Sequence, residues 1–166
     1  MDHFPLMARF NAWANDRIYE TVRHLSDEAY RAERGAFFGS VHKTLNHLMV
    51  VDRLWTRRIE GKPRPVAALD QILYDDFAEL RENRKAEDRY LIELVDGLDD
   101  EALTADVAYQ RIIGDGEQKT RCDRILLTLY NHQTHHRGQV HCLLTQDGVM
   151  PPPLDIIFFL EGLGLS

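Results

Sequence analysis

The chain of 166 residues is close in size to one domain and too short for two ordinary ones with separate cores. With 44% hydrophobic and 28% charged residues it has the composition of a soluble globular protein, which excludes disorder as the main state. A net charge of −7 with no evident basic cluster argues against nucleic-acid binding, and the longest apolar run, IIFFL, is too short for a membrane span or a signal peptide. The expectation is a cytoplasmic protein with neither nucleic acid nor membrane as partner, in which Cys122 and Cys142 match no CxxC spacing and stay as free thiols.

In chain order, four stretches carry apolar residues at three- and four-residue spacing, the period of helices with one buried face, over roughly 3–25, 40–60, 70–97 and 121–146. In the first, Leu6, Met7, Phe10, Trp13, Ala14, Ile18, Thr21 and Leu25 form the stripe, and the chain turns polar at Ser26 and Asp27. The second opens after Gly39 with Ser40 as N-cap, because a serine hydroxyl can accept from an otherwise unpaired first-turn amide. It ends near Gly61, where Pro63 and Pro65 disfavour helix, and Asp70 is placed to cap the third. Between Gly97 and Arg121, VAYQRII and QKTR flank GDGE, whose glycines suit a hairpin turn. After the fourth helix DGVMPPPLD cannot continue helically, and the final IIFFLEG is expected to pack back as a short helical turn. The fold class read from this is all-α: an antiparallel four-helix bundle with a short β-hairpin insertion between helices three and four, one domain over 1–166, whose facing helices can build a site in the core.

Eight histidines are the unusual feature of the composition. At about 100° of rotation per residue, Ile125, Thr128, Leu129, His132, His136, Gln139, Val140 and Leu143 share one arc of the fourth helix. His132 and His136 therefore lie one turn apart within an apolar stripe, where each ring nitrogen needs a partner and a divalent ion can take one from each. The alternative for an HxxxH spacing is that one ring bonds to backbone and the other reaches the bundle end. His135 points about 100° away and is a rim residue, His141 lies on the solvated side, and His3 and His24 are ordinary helix-end residues. On the second helix His47 falls between Leu54 and Val51 at the edge of the apolar arc and faces the bundle, whereas His42 shares the polar side with Asn46, Arg53 and Arg57. Asp52 lies near the centre of that arc, where a carboxylate needs a partner such as Arg17 and is best read as part of a structural ion pair. Cys142, just off the inward arc of the fourth helix, reads as a packed small apolar residue.

FNAWAN in helix one, SVHKTLNHLMVVDRLW in helix two and NHQTHHRGQ in helix four resemble, in that order, the DinB/YfiT-like family of bacterial four-helix bundles across essentially the whole chain. The most specific pieces are H-x-x-x-H-R-G-Q, here His132, His136, Arg137, Gly138 and Gln139, and the helix-two histidine followed eight residues later by tryptophan, here His47 and Trp55. The resemblance implies a metal triad of His47, His132 and His136, the same three residues that the wheel geometry brings inward. It implies one divalent ion, with zinc or nickel as first choices, a homodimer, and a small-molecule substrate. Relatives that use a low-molecular-weight thiol for S-transfer or isomerisation make such a thiol a candidate cofactor by analogy.

Other chemistries lack their motifs. Glu-x-x-His pairs of a di-iron site and HExxH are absent, GDGE lacks the Lys-Ser/Thr of a phosphate loop, and the SxxK match at Ser40 has no SDN or KTG companion. Three neutral imidazoles around a 2+ ion leave a full positive charge and an open coordination position, which favours an anionic ligand. Water there suits hydrolysis, a thiolate suits S-transfer, and a fourth protein ligand from Asp52 or His135 would favour a sensor or scaffold instead. Gln139, inward beside the triad, is placed to orient a ligand or a metal-bound histidine, and Arg137 to anchor helix four through salt bridges or a bundle-end hydrogen bond.

Overall fold

A computed structural model of the protein describes residues 3–112, 114 and 116–165. Four long helices, α1 (His3–Val22), α3 (Val41–Ile59), α4 (Phe77–Asp96) and α6 (Cys122–Gln146), form the bundle. Short helices α2 (Asp27–Arg31), α5 (Asp100–Thr104) and α7 (Ile156–Gly162) and one hairpin, β1 (Asp106–Gln110) with β2 (Glu117–Arg121), complete it. Ser40 caps α3 as the sequence predicts, its Oγ accepting from the Lys43 amide at 3.2 Å. The third long helix starts later than its apolar pattern suggests: Asp76, not Asp70, accepts from the Glu79 amide, and residues 60–76 form a crossover without long helix. That crossover is tied down by Asn46, whose Oδ1 accepts from the amides of Leu73 and Tyr74 at 2.9 Å each. The first helix stops at Val22, short of the predicted Leu25, before Ser26 caps α2.

Each long helix packs against two others, in the ring α1, α4, α3, α6. Cross-helix pairs give their directions. Arg9 with Asp96 and Glu20 with Arg81 run α1 and α4 antiparallel. Leu45 clusters with Leu143 and Leu144 while Trp55 and Ile59 cluster with Leu126 and Leu129, so α3 and α6 are antiparallel too. Asp52 with Arg84 and Arg53 with Glu87 show α3 parallel to α4, the direction that the long crossover permits, and Phe4 with Tyr130 and Asn15 with Arg137 show α1 parallel to α6. The bundle with its hairpin is the predicted architecture, its four neighbouring pairs divided between the two directions.

The hairpin pairs Asp106 with Arg121 through Gln110 with Glu117. Of its predicted residues, Ile113 in the first strand and Asp115 in the turn lie outside the described residues. The terminal IIFFLEG forms α7, whose Phe159 packs on Phe10 and Trp13 of α1 at ring distances of 5.9 and 5.7 Å. None of the described helices is long and apolar enough to cross a membrane.

Candidate metal centre

Because α3 and α6 run antiparallel in contact, His47 and the His132/His136 pair meet at one level of the bundle. One ring nitrogen from each of the three lies within 4.8 Å of the other two, with His47 and His136 buried and His132 half-buried. Their arrangement could hold a metal ion. His47 Nε2 is 3.0 Å from His132 Nε2, and the rings of His132 and His136 are 4.3 Å apart.

The outer nitrogens decide whether the inner ones are free to coordinate. His47 Nδ1 lies 2.7 Å from the Leu69 carbonyl, which can only accept, so Nδ1 carries the proton and Nε2 keeps its lone pair. His136 Nδ1 lies 2.7 Å from Gln139 Oε1, and the Gln139 amide nitrogen lies 3.3 Å from His135 Nε2, an amide orientation that again leaves His136 Nε2 unprotonated. His132 Nδ1 is buried without a hydrogen-bond partner. In the metal-free protein its proton belongs on Nε2, donated to His47, a bond that an ion would replace. Burial pushes His47 down to about 4 and His132 to about 3, and lowers His136 as well. The rings are thus neutral near pH 7, the form that binds metal, and one nitrogen from each within 4.8 Å of the other two, with an orphaned buried nitrogen beside them, fits a divalent ion. Gln139 plays the orienting part predicted for it, and His135 is exposed and outside the cluster.

One side of the triad is covered by Phe38, whose ring stacks on His47 at 3.9 Å and lies 5.4 Å from His136. A tight turn holds it there: Gly39 donates to the Ala36 carbonyl at 2.8 Å and adopts φ 83°, where a side chain would be strained and would collide with that of Glu33. On another side a cavity of about 340 Å³ opens past His47 and His132, walled by Val51, Leu54, Trp55 and Leu69.

Next to the histidines lies a second polar cluster that wheel reasoning only partly foresaw. Asp52 is fully buried and pairs with Arg84 of α4 at 2.8 Å, not with Arg17, which instead stacks over Trp13. Arg84 also meets Asp88 at 2.9 Å. Asn15 donates to Asp88 at 2.9 Å, Gln133 donates to Asp52 at 2.5 Å, and both amides accept from Arg137 at 3.1 Å. Arg137 does anchor helix four, but from inside the core and through amides of Asn15, Asn11 and Gln133 rather than through a salt bridge. The wheel placed it about 100° off the stripe; α6 packs against both α1 and α3, so its buried arc is wider than its apolar stripe. Asp52 is accordingly committed within the core rather than offered as a fourth ligand. Burial raises its carboxyl to about 6 despite the Arg84 guanidinium.

Three further expectations need correction. His42 is buried, with Nε2 3.3 Å from the Tyr74 carbonyl, because the crossover covers the face of α3 that its sequence presents as polar. His141 is half-buried, with Nε2 3.2 Å from the Pro152 carbonyl of the segment leading to α7. Cys142 is exposed and Cys122 is the buried thiol. The chain also has a basic cluster after all: Arg57, Arg58, Lys62 and Arg64 line one cavity of about 530 Å³, together with Glu117.

Comparisons with known proteins bear on the family and the fold. The family model described as the DinB family matches residues 1–163. The chain is 30% identical over 158 residues to Protein DinB of Bacillus subtilis (strain 168), covering 91% of this chain and 90% of that protein. Its fold is similar to the crystal structure of a DinB-like protein, YjoA, from Bacillus subtilis, with a TM-score of 0.67 and 15% identity over 89% of this chain and 95% of that one. The chain belongs to the DinB family.

Proposed function

We propose that His47, His132 and His136 bind one divalent ion, zinc or nickel, and that the protein is a metal-dependent enzyme that activates a small thiol for S-transfer or isomerisation. The observation that carries this reading is the grouping of three neutral imidazoles, one nitrogen of each within 4.8 Å of the others, with no carboxylate or fourth histidine grouped with them among the described residues. When bound, a divalent ion in such a site retains its 2+ charge and an open position, and lowers the pKa of a thiol or water placed there. The chain's own contribution is orientation and exclusion. Leu69 and Gln139 fix two rings, Phe38 shields them from solvent on one side, and the cavity at His47 and His132 admits a small molecule on another.

A hydrolase acting through water rests on the same imidazoles and is the second reading. Titrating cobalt-substituted protein with glutathione and other small thiols separates them, because sulfur ligation alters the visible spectrum. A spectral change accompanied by thiol-dependent turnover is the expected result. No change with any thiol, alongside metal-dependent ester or amide hydrolysis, contradicts the thiol reading. A homodimer and a cytoplasmic setting belong to the same proposal; the family resemblance supports the dimer, as does the exposure of Ile157, Phe158, Leu163 and Leu165 around α7. Sedimentation showing only monomer at about tens of micromolar would contradict it.

A further inference from the structure

Arg58 is a cation held in place and, among the described residues, left without a counter-ion. Its guanidinium lies over the Trp55 ring at 4.5 Å and over the Tyr109 ring at 4.3 Å, two rings that themselves meet edge to face at 5.2 Å. One of its nitrogens donates to the Gln110 carbonyl at 2.7 Å, which fixes its rotation. Among the described residues it forms no salt bridge, in contrast to Arg57 and Lys62 beside it, which share Glu60. Half-burial and the neighbouring charge of Arg64 both lower its pKa, the sign of a cation whose environment does not compensate it. A guanidinium offers five donors in a planar fork suited to a carboxylate, and most of this fork is unused.

Its position gives that charge a purpose. Arg58, with Leu54 and Tyr109, borders both the cavity that reaches His47 and His132 and the basic cavity lined by Arg57, Lys62 and Arg64. The wall that Arg58 shares with His47 and His132 is mostly apolar, with Val51, Leu54, Trp55, Leu69 and Ile112 beside the polar Thr128. Arg111, at the same cavity, also has no salt bridge among the described residues. A ligand that satisfies these surfaces has an apolar body against Trp55 and Leu69 and an anionic group at the Arg58 end.

We propose that the cavity beside His47 and His132 is a binding site for an organic carboxylate with an apolar body, its carboxylate paired with Arg58 and its opposite end at the histidine centre. The proposal deepens the enzymatic reading given above and rests on it for the role of the triad, but the carboxylate contact itself needs no metal.

The test uses the full chain, metal-free and zinc-loaded, with 2-naphthoate and its neutral counterpart 2-naphthylmethanol as probes, followed by calorimetry. The metal-free wild type is expected to bind the acid at least about tenfold more tightly than the alcohol, with the preference weakening as salt rises. Arg58→Met, which keeps most of the stacking stem, is expected to abolish the preference, and Arg58→Lys to restore part of it. Equal affinity for the two probes in the wild type overturns the proposal, as does a preference that survives in folded Arg58→Met. Should that variant fail to fold, a salt-independent preference in wild type, or one unchanged in Arg58→Lys, overturns it equally. Zinc uptake is read separately: a normal acid preference with no zinc uptake sinks the triad alone, and normal uptake with no preference sinks the carboxylate site alone.

Discussion

Two polar clusters share the middle of this bundle, and they are built on opposite principles. The ionic cluster is balanced in charge: Arg137 donates to Asn15 and Gln133, these amides donate to Asp88 and Asp52, and Arg84 sits between the two carboxylates as an ion pair, its nitrogens and Asp52 Oδ1 making no aligned hydrogen bond. Its two positive and two negative side chains cancel, and all four long helices contribute a member. The histidine cluster does not close. Its three members carry no charge, meet at one level of the bundle and leave His132 Nδ1 without a partner. A buried network whose opposite charges cancel holds the fold in register, whereas three uncharged imidazoles grouped within 4.8 Å of one another offer nitrogens that an ion can take. The difference separates scaffold from site within two adjacent turns of α6, where Gln133 and Arg137 alternate with His132 and His136.

Breaking the ionic cluster is expected to have the largest effect on stability. Arg84→Met leaves two buried carboxylates facing each other and should cost about 3–5 kcal/mol in chemical denaturation; a loss below about 1 kcal/mol would mean that the ring is not structural. Acid then distinguishes the open cluster. In the metal-free protein burial holds His47 near 4 and His132 near 3, while in the unfolded chain imidazoles take up protons near about 6.5. The unfolded state therefore binds more protons below that value, and the stability contributed by neutral buried rings is complete above it and lost as pH falls toward about 3. Melting temperatures followed over that range should fall in the wild type and fall less in His132→Ala; identical slopes would contradict the assignment. A smaller effect is expected at Gln139, which touches the site only through His136. Gln139→Leu should weaken metal binding about 10- to 100-fold with little change in fold stability, and an unchanged affinity would show that its bond to His136 orients nothing.

Periodicity in the sequence exposes the open cluster better than the ionic one. His132 and His136 stand in an apolar stripe at helical spacing and His47 at the edge of another, so the three histidines that the fold groups are legible residue by residue. The partner of Asp52 is not, because Arg84 belongs to a helix whose rotation about its axis depends on packing against both α1 and α3. His42 fails for a related reason: the face it shares with Asn46 is polar in sequence, and only the fold shows that residues 73 and 74 fold over it and bond to Asn46. The start of α4 fails at Asp70 because several acidic residues there can cap, and local sequence does not choose among them. Arg58 escapes notice altogether, since basic residues in the last turn of a helix usually read as solvated and its rings come from α3 and from the hairpin.

On the reading proposed above, one divalent ion completes the open cluster. Metal analysis of protein purified without a histidine tag, beside His47→Ala, His132→Ala and His136→Ala, tests it most directly. About one equivalent of ion per chain is expected in the wild type and its loss in each variant; full occupancy retained in any of the three variants would contradict the assignment of that residue.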